Sequence, residues 1–268
     1  MTSLKEALLL DDCGVVSLVG AGGKTSLMFK LAHEISAAGT SVLTTTTTKI
    51  LNPTPQQSSN LIISEDVEII IKYAEDIFSK DRRHITVAAN RVQPQKKLIG
   101  LQPESIDALA DSKRFRWIIV EADGAARKPV KAPADHEPVI PESTTHVAGI
   151  CGLSAVGKSF SEKWVHRSKR FAEITGLKSG QLIPGEALGD LLVHPNGIFK
   201  NAPLSALKIA FLNQADVPGG YEAGKRIAEL LKEKEKTGLR RIVIGQIKLS
   251  PPVLEYYDLN TSSVSRSH

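Results

Sequence analysis

Four small residues, a lysine and two hydroxyls in a row, Gly20-Ala-Gly-Gly-Lys-Thr-Ser26, are the strongest chemical signal in this sequence. Small residues let backbone N–H groups close around phosphate oxygens. A lysine then reaches the outer phosphates, and a hydroxyl binds Mg²⁺. Here Gly20, Ala21, Gly22 and Gly23 form the cradle, Lys24 brings the charge, and Thr25 and Ser26 bring the hydroxyls. The spacing departs from the G-x-x-x-x-G-K-S/T pattern. Leu18 stands where the first glycine belongs, and Gly20 comes two residues late. The context still favours a phosphate loop over a glycine turn with a surface lysine. An apolar stretch precedes it, and Leu27, Leu31 and Ile35 follow at helical spacing.

A second segment, Gly152-Leu-Ser-Ala-Val-Gly-Lys-Ser159, fits the full pattern literally. Its position argues against it. A phosphate loop needs an acidic strand end after it and then a base-reading loop. From Gly20 that order runs through Glu121 to Asn213, whereas no acidic strand end lies between Gly152 and Asn213. The 152–159 segment is expected to be a loop at the carboxyl edge of the sheet, where ligands bind in such folds.

Trp117-Ile-Ile-Val-Glu-Ala-Asp-Gly124 is a buried-strand sequence ending in two carboxylates, Glu121 and Asp123, that point to one side of an extended chain. Mg²⁺ on a polyphosphate needs a carboxylate at such a place. Thr25 and Glu121 are therefore assigned to Mg²⁺, and Asp123 to metal or water positioning. Lys24, Glu121 and Asp123 form the catalytic set. The stretch from Ala125 to Pro141 holds four prolines and crowds Lys131, Asp135, His136 and Glu137 together. Adjacent side chains diverge, so one metal is a poor use for them. A substrate or effector loop beside the nucleotide competes with a structural loop of solvated charges.

Leu43-Thr-Thr-Thr-Thr-Thr-Lys49 reads either as a strand end rich in β-branched residues or as a source of hydroxyls, Thr46 and Thr47 among them, for the outer phosphate and Mg²⁺. Lys49 closes the run. Late in the chain, Asn213-Gln-Ala-Asp216 resembles the N-K-x-D loop of GTPases, in which the Asp accepts two N–H bonds from guanine. Gln214 replaces the lysine whose stem packs beside the base. GTP is favoured over ATP on this ground, weakly.

These residues need a scaffold that brings distant segments to one edge. Strand-like runs at 14–20, 41–44, 61–63, 85–89, 116–121, 146–151, 208–213 and 241–245 are separated by helical stretches such as 24–38 and 65–80. That alternation predicts an α/β domain, a mainly parallel sheet with helices on both faces. One domain is expected over residues 1–258, with a flexible tail at 259–268. Lys plus Arg is 34 against 29 Asp plus Glu, a net charge of +5, without a basic run interleaved with aromatics, so a nucleic-acid surface is not expected. The two cysteines, Cys13 and Cys151, make no framework and no metal pair, which fits a reducing, cytoplasmic setting. No apolar run approaches the roughly 20 residues of a membrane span, so a membrane partner is not expected either.

Taken together, these segments resemble the YqeC family, the accessory proteins of selenium-dependent molybdenum hydroxylases, over about residues 10–250. The resemblance lies in the loop ending at Thr25, in the threonine run Leu43 to Lys49, and in Glu121-Ala-Asp-Gly-Ala125. It extends through Lys131-Ala-Pro-Ala-Asp-His-Glu-Pro-Val-Ile-Pro141, Val165-His-Arg167 and Asn213 to Asp216. The resemblance implies a P-loop nucleoside-triphosphatase fold. It implies Mg²⁺ with GTP or ATP as cofactors, and a role in maturing a selenium-containing molybdenum cofactor. The implied partners are a molybdenum hydroxylase or its cofactor-assembly proteins. It also adds Lys131, His136, Glu137, His166 and Arg167 to the ligand surface. Two other functions fit the same loop. One is a small-molecule kinase or ligase-like transferase, although 268 residues leave little room for a ligase's acceptor domains. The other is a non-catalytic, nucleotide-gated binding module, disfavoured by the lack of Cys pairs and His-rich tracts.

Overall fold

A computed structural model describes residues 2–234 and 237–259. The expected tail therefore lies, from residue 260 onward, outside the described residues. After a short helix α1 (Leu4–Ala7), the chain enters β1 (Gly14–Gly20), α2 (Lys24–Ala37) and β2 (Val42–Thr46). Then come β3 (Lys49–Leu51), β4 (Leu61–Ile63), α3 (Val67–Ser79) and β5 (His84–Ala88). A small hairpin, β6 (Asn90–Val92) and β7 (Lys97–Ile99), precedes α4 (Pro103–Asp111) and β8 (Trp117–Glu121). The second half runs β9 (Val130–Lys131), β10 (His146–Gly152), β11 (Val165–His166), α5 (Ser168–Thr175) and α6 (Gly185–Val193). It ends with β12 (Leu207–Asn213), α7 (Gly220–Glu233), β13 (Arg241–Gly245) and β14 (Val253–Asp258).

Nine strands form one sheet in the order β14-β13-β12-β10-β1-β8-β2-β5-β4. All neighbours are parallel except β14, which returns antiparallel along β13. The side-chain alternation of each strand feeds two cores. In β1, β8 and β10, Val15, Val19, Ile118, Val120, Val147 and Cys151 face one side, under α3 to α7. Val16, Leu18, Trp117, Ile119, Ala148 and Ile150 face the other, under α1 and α2. Helices thus cover both faces, the α/β arrangement that the alternation predicted and one consistent with a P-loop nucleoside triphosphatase. The sequence did not reveal the small antiparallel sheet β3-β7-β6, the two-stranded β9–β11 pair, or the antiparallel return of β14.

The helix after β1 lies on one face of the sheet, and the helices after β10 lie on the other. Chains leaving two adjacent strands in opposite directions open a crevice at their carboxyl ends, and ligands bind there in open α/β sheets. The Gly20–Gly23 turn sits at that point. Among the described residues no helix is long and apolar enough to cross a membrane.

Candidate functional site

The glycine turn is held open by contacts that only small residues allow. Gly22 has φ +94°, and a Cβ there would meet Gly152 N at 2.6 Å and Pro129 O at 2.7 Å. Gly23 has φ +141°, and its Cβ would fall 2.3 Å from Asn213 Nδ2. Asn213 is buried; its amide donates to Gly22 O at 2.7 Å and accepts from Ile247 N at 2.9 Å. It stitches the glycine turn to the segment after β13, with its amide nitrogen on one and its oxygen on the other. Gly152, the first residue of the literal phosphate-loop match, contributes its lack of a side chain. The rest of that match winds as a 3-10 turn at Leu153–Ala155, with no α-helix following it directly. Lys158 is exposed there, 5.6 Å over the Trp164 ring.

Lys24 and Thr25 open α2 and turn toward the end of β8. The Thr25 hydroxyl donates to Glu121 Oε2 at 2.7 Å. The Lys24 ammonium donates to Gly20 O at 2.6 Å, and lies 3.1 Å from Asp123 Oδ1 and 3.9 Å from Glu121 Oε1. Both carboxylates are buried. Burial raises the Glu121 carboxyl above its ordinary range, against the pull of Lys24 and the Thr25 hydroxyl. A carboxylate disfavoured by its surroundings is one that a cation would restore to full charge.

Asp123 reaches the same Lys24 ammonium as Glu121, on the side its spacing suggested, and has further partners. Its Oδ2 accepts the Gly20 N–H at 3.1 Å and lies 2.9 Å from Lys131 Nζ. Asp123 thus stands behind the glycine turn, between two ammonium groups, as an anchor for Lys24. Lys131 is wholly buried and also lies 2.7 Å from Glu137 Oε2. Arg167 completes the chain with a fork onto Glu137, its second amino group 3.1 Å from Oε1. Burial alone would push the Glu137 carboxyl up, yet Arg167 and Lys131 hold it at about 2. The pairing of β9 with β11 sets Lys131 directly opposite His166. Burial, then the charges of Arg167 and Lys131, lower the pKa of His166. The result is a continuous line of alternating charge, Glu121–Lys24–Asp123–Lys131–Glu137–Arg167, with the Thr25 hydroxyl at its Glu121 end. Two of its buried atoms, Asp123 Oδ1 and Lys131 Nζ, sit at ion-pair distance without a well-directed hydrogen bond.

Other residues singled out in the sequence lie elsewhere or serve the backbone. Thr46 donates to Glu121 O at 2.7 Å and Thr47 to Val139 O at 2.8 Å. Thr44 and Thr45 bond to β5 through Thr86 and Val87 O. The hydroxyls of the run from Thr44 to Thr47 are thereby engaged in tying strands and the 124–141 loop together. Lys49, His136 and Asp216 are exposed. Gln214, at φ +67°, accepts from the Ser154 hydroxyl at 2.6 Å, so the 213–216 loop also borders the glycine turn. Contacts that the sequence did not suggest brace the 124–141 loop from outside. Arg170 forks onto Asp135, and Lys200 donates to Asp135 O at 2.8 Å. Among the described residues no three His, Cys, Asp or Glu side chains converge as a metal site.

A mainly parallel sheet with a glycine turn at its switch point, a lysine and threonine opening the next helix, and a carboxylate on the adjacent strand end define an α/β protein whose geometry is consistent with a P-loop nucleoside triphosphatase. The comparisons with known proteins narrow this. A family model described as YqeC protein matches residues 16–169. An Escherichia coli (strain K12) protein described as "Uncharacterized protein YqeC" is 35% identical over 239 residues, which is 89% of this chain and 90% of that protein. The chain belongs to the YqeC family.

Proposed function

We propose that the chain binds a Mg²⁺–nucleoside triphosphate at Gly20–Ser26 and hydrolyses it, as a maturation factor for selenium-dependent molybdenum hydroxylases. The observation that carries the nucleotide part is the 2.7 Å bond from the Thr25 hydroxyl to the Glu121 carboxylate, beside the buried Lys24 ammonium. The donor set suits the ion. Mg²⁺ takes one or two carboxylate or hydroxyl oxygens from protein and keeps water and phosphate for the rest. Thr25 and Glu121 are those donors, and the bound ion would supply charge neutralisation across the phosphates. Asp216, exposed and without a side-chain hydrogen bond or ion pair among the described residues, is the group to read guanine, which keeps GTP ahead of ATP.

Lys24 and Lys131 share one carboxylate, Asp123. A phosphate that draws Lys24 outward alters what Asp123 offers Lys131, and through it Glu137 and Arg167. Nucleotide state thereby reaches the 124–141 loop, which faces the client or its cofactor in this reading. The maturation role rests on the family resemblance, and a molybdenum hydroxylase or its cofactor-assembly proteins are the partners it brings. His166, flanked by the cations Lys131 and Arg167, favours one other reading, transfer of the terminal phosphoryl group to a small acidic acceptor.

Product analysis with each nucleoside triphosphate separates the two. Release of inorganic phosphate without an acceptor, lost in Glu121→Gln, supports hydrolysis; nucleoside diphosphate formed only with an acceptor, together with phosphorylated acceptor and no free phosphate, supports transfer. For the client, cells carrying only Lys24→Ala are expected to contain molybdenum hydroxylase depleted of selenium. Full selenium content in those cells would refute the maturation role.

A further inference from the structure

Helix α3 gathers its charges, Glu68, Lys72, Glu75 and Asp76, on one face and buries Ile70 and Ala74 on another, and Ile69 and Tyr73 lie between the two. Ile69 and Tyr73, one turn apart, are 43% and 58% exposed. A helix on the rim of a sheet ordinarily keeps its large apolar side chains off the solvent side, and an apolar strip left open beside the polar face is a surface that a partner can bury. The strand before it, β4, is the last in the sheet. Ser64 N–H donates to Ala88 O, and Asn60 O accepts from Thr86 N–H. The even-numbered residues therefore bond to β5, and the N–H and C=O groups of Leu61 and Ile63 point away from it. Ile63 is itself 37% exposed, on the sheet face opposite α3.

We propose that a second copy of this chain covers this edge. In the dimer, β4 pairs antiparallel with its symmetry mate about a two-fold axis through Ile62, and α3 packs antiparallel against its mate. The edge is self-complementary in a way that a foreign partner would not require. With Ile62 on the axis, Leu61 lies opposite the partner's Ile63, and each such pair exchanges two backbone hydrogen bonds. An axis normal to the sheet keeps the two α3 helices on one face and sets the Ile69–Tyr73 strip of each against the other. The charges agree. The ion pairs of α3 use Asp76 with Lys80 and Glu75 with Arg114, which leaves Glu68 and Lys72 beside the apolar strip without a partner among the described residues. Antiparallel packing centred near this strip sets Lys72 opposite the partner's Glu68. Pairing also ends the exposure of an unprotected sheet edge.

Sedimentation equilibrium of the full chain is the test. The wild type is expected to be a dimer at micromolar concentration. Tyr73→Glu is expected to weaken the dimer by roughly 30-fold or more, the effect of losing one interface aromatic, with an unchanged circular dichroism spectrum. Because Tyr73 is an exposed side chain, the fold survives its loss. Location is read separately. Glu68→Cys with Lys72→Cys, in a Cys13→Ser background, keeps Ile69 and Tyr73 and is expected to give a disulfide-linked dimer on mild oxidation. A monomeric wild type, a dimer indifferent to Tyr73→Glu, or absence of the cross-link overturns the proposal. A monomer whose α3 face is protected only by another protein would assign that face to a foreign partner instead.

Discussion

Replacing Asp123 by Asn separates an anchoring carboxylate from a reacting one. The amide keeps the shape but loses the charge that two buried ammonium groups share, at 3.1 Å to Lys24 and 2.9 Å to Lys131. It also sets an NH₂ group against one of them, or against the Gly20 N–H. Lys131 then keeps only Glu137, and Lys24 keeps Glu121 at 3.9 Å. Removing one partner of a buried ion pair costs about 3–5 kcal/mol, and the two surviving carboxylates place Asp123→Asn near about 3. Glu121→Gln behaves otherwise. Burial already disfavours charge at Glu121, the amide oxygen still accepts from Thr25, and Lys24 keeps Asp123. Its stability is expected to stay within about 1 kcal/mol of wild type. Its nucleotide turnover is expected to fall about 10²-fold, the usual effect of removing one electrostatic stabiliser. Urea unfolding at neutral pH and phosphate release on the same preparations give both numbers. An Asp123→Asn protein as stable as wild type would refute the anchor reasoning, as would a Glu121→Gln protein less stable than Asp123→Asn.

Three further outcomes follow from other contacts. Gly22→Ala places a Cβ at φ +94° against Gly152 and Pro129. The backbone term alone is about 1–2 kcal/mol, so a lowered Tm together with weakened nucleotide binding is expected, measured by thermal melts and titration. The Glu137 carboxyl is held at about 2 against an ordinary 4.5, so its stabilising contribution is complete above about 4.5 and is lost as pH falls toward 2. The Tm gap between wild type and Glu137→Gln is therefore expected to be widest near neutral pH and to close across that acid range. Asp216→Ala is expected to erase a preference for GTP over ATP of roughly 5-fold, the low end for a polar group left unpaired by the wrong base. An unchanged ratio in competitive binding would reduce Asn213–Asp216 to a turn after β12.

The central parallel strands were readable because each is a short apolar run between turn residues, buried on both faces. The glycine turn was readable because its chemistry needs consecutive residues. What could not be read depends on contacts between distant segments. The strands of the sheet β3-β7-β6 are only three residues each, too short for an alternation to show, and β14 carries charges on an edge strand. The hydroxyl partners of Thr44 to Thr47 lie on β5, β8 and the 124–141 loop, so their composition fitted a phosphate contact as well as a stitched strand. The spacing of Asp123 gave no sign of its second ammonium partner, Lys131, eight residues on. Glu137 stood out in the crowded 125–141 stretch and Arg167 only through the family resemblance, and their fork onto one another is a fact of the fold. Gly152 drew notice as the first residue of the literal phosphate-loop match. Its contribution is the empty space beside Gly22.

Binding of Mg²⁺–nucleotide by wild type, Lys24→Ala and Lys158→Ala, followed by calorimetry, tests the nucleotide site most directly. Lys24 is buried among Gly20 O, Asp123 and Glu121 at the sheet's switch point, whereas Lys158 is exposed over Trp164. Binding by wild type and Lys158→Ala, and its loss in Lys24→Ala, is the expected result. Retained binding in Lys24→Ala with loss in Lys158→Ala would move the phosphate site to Gly152–Ser159 and contradict the assignment made here.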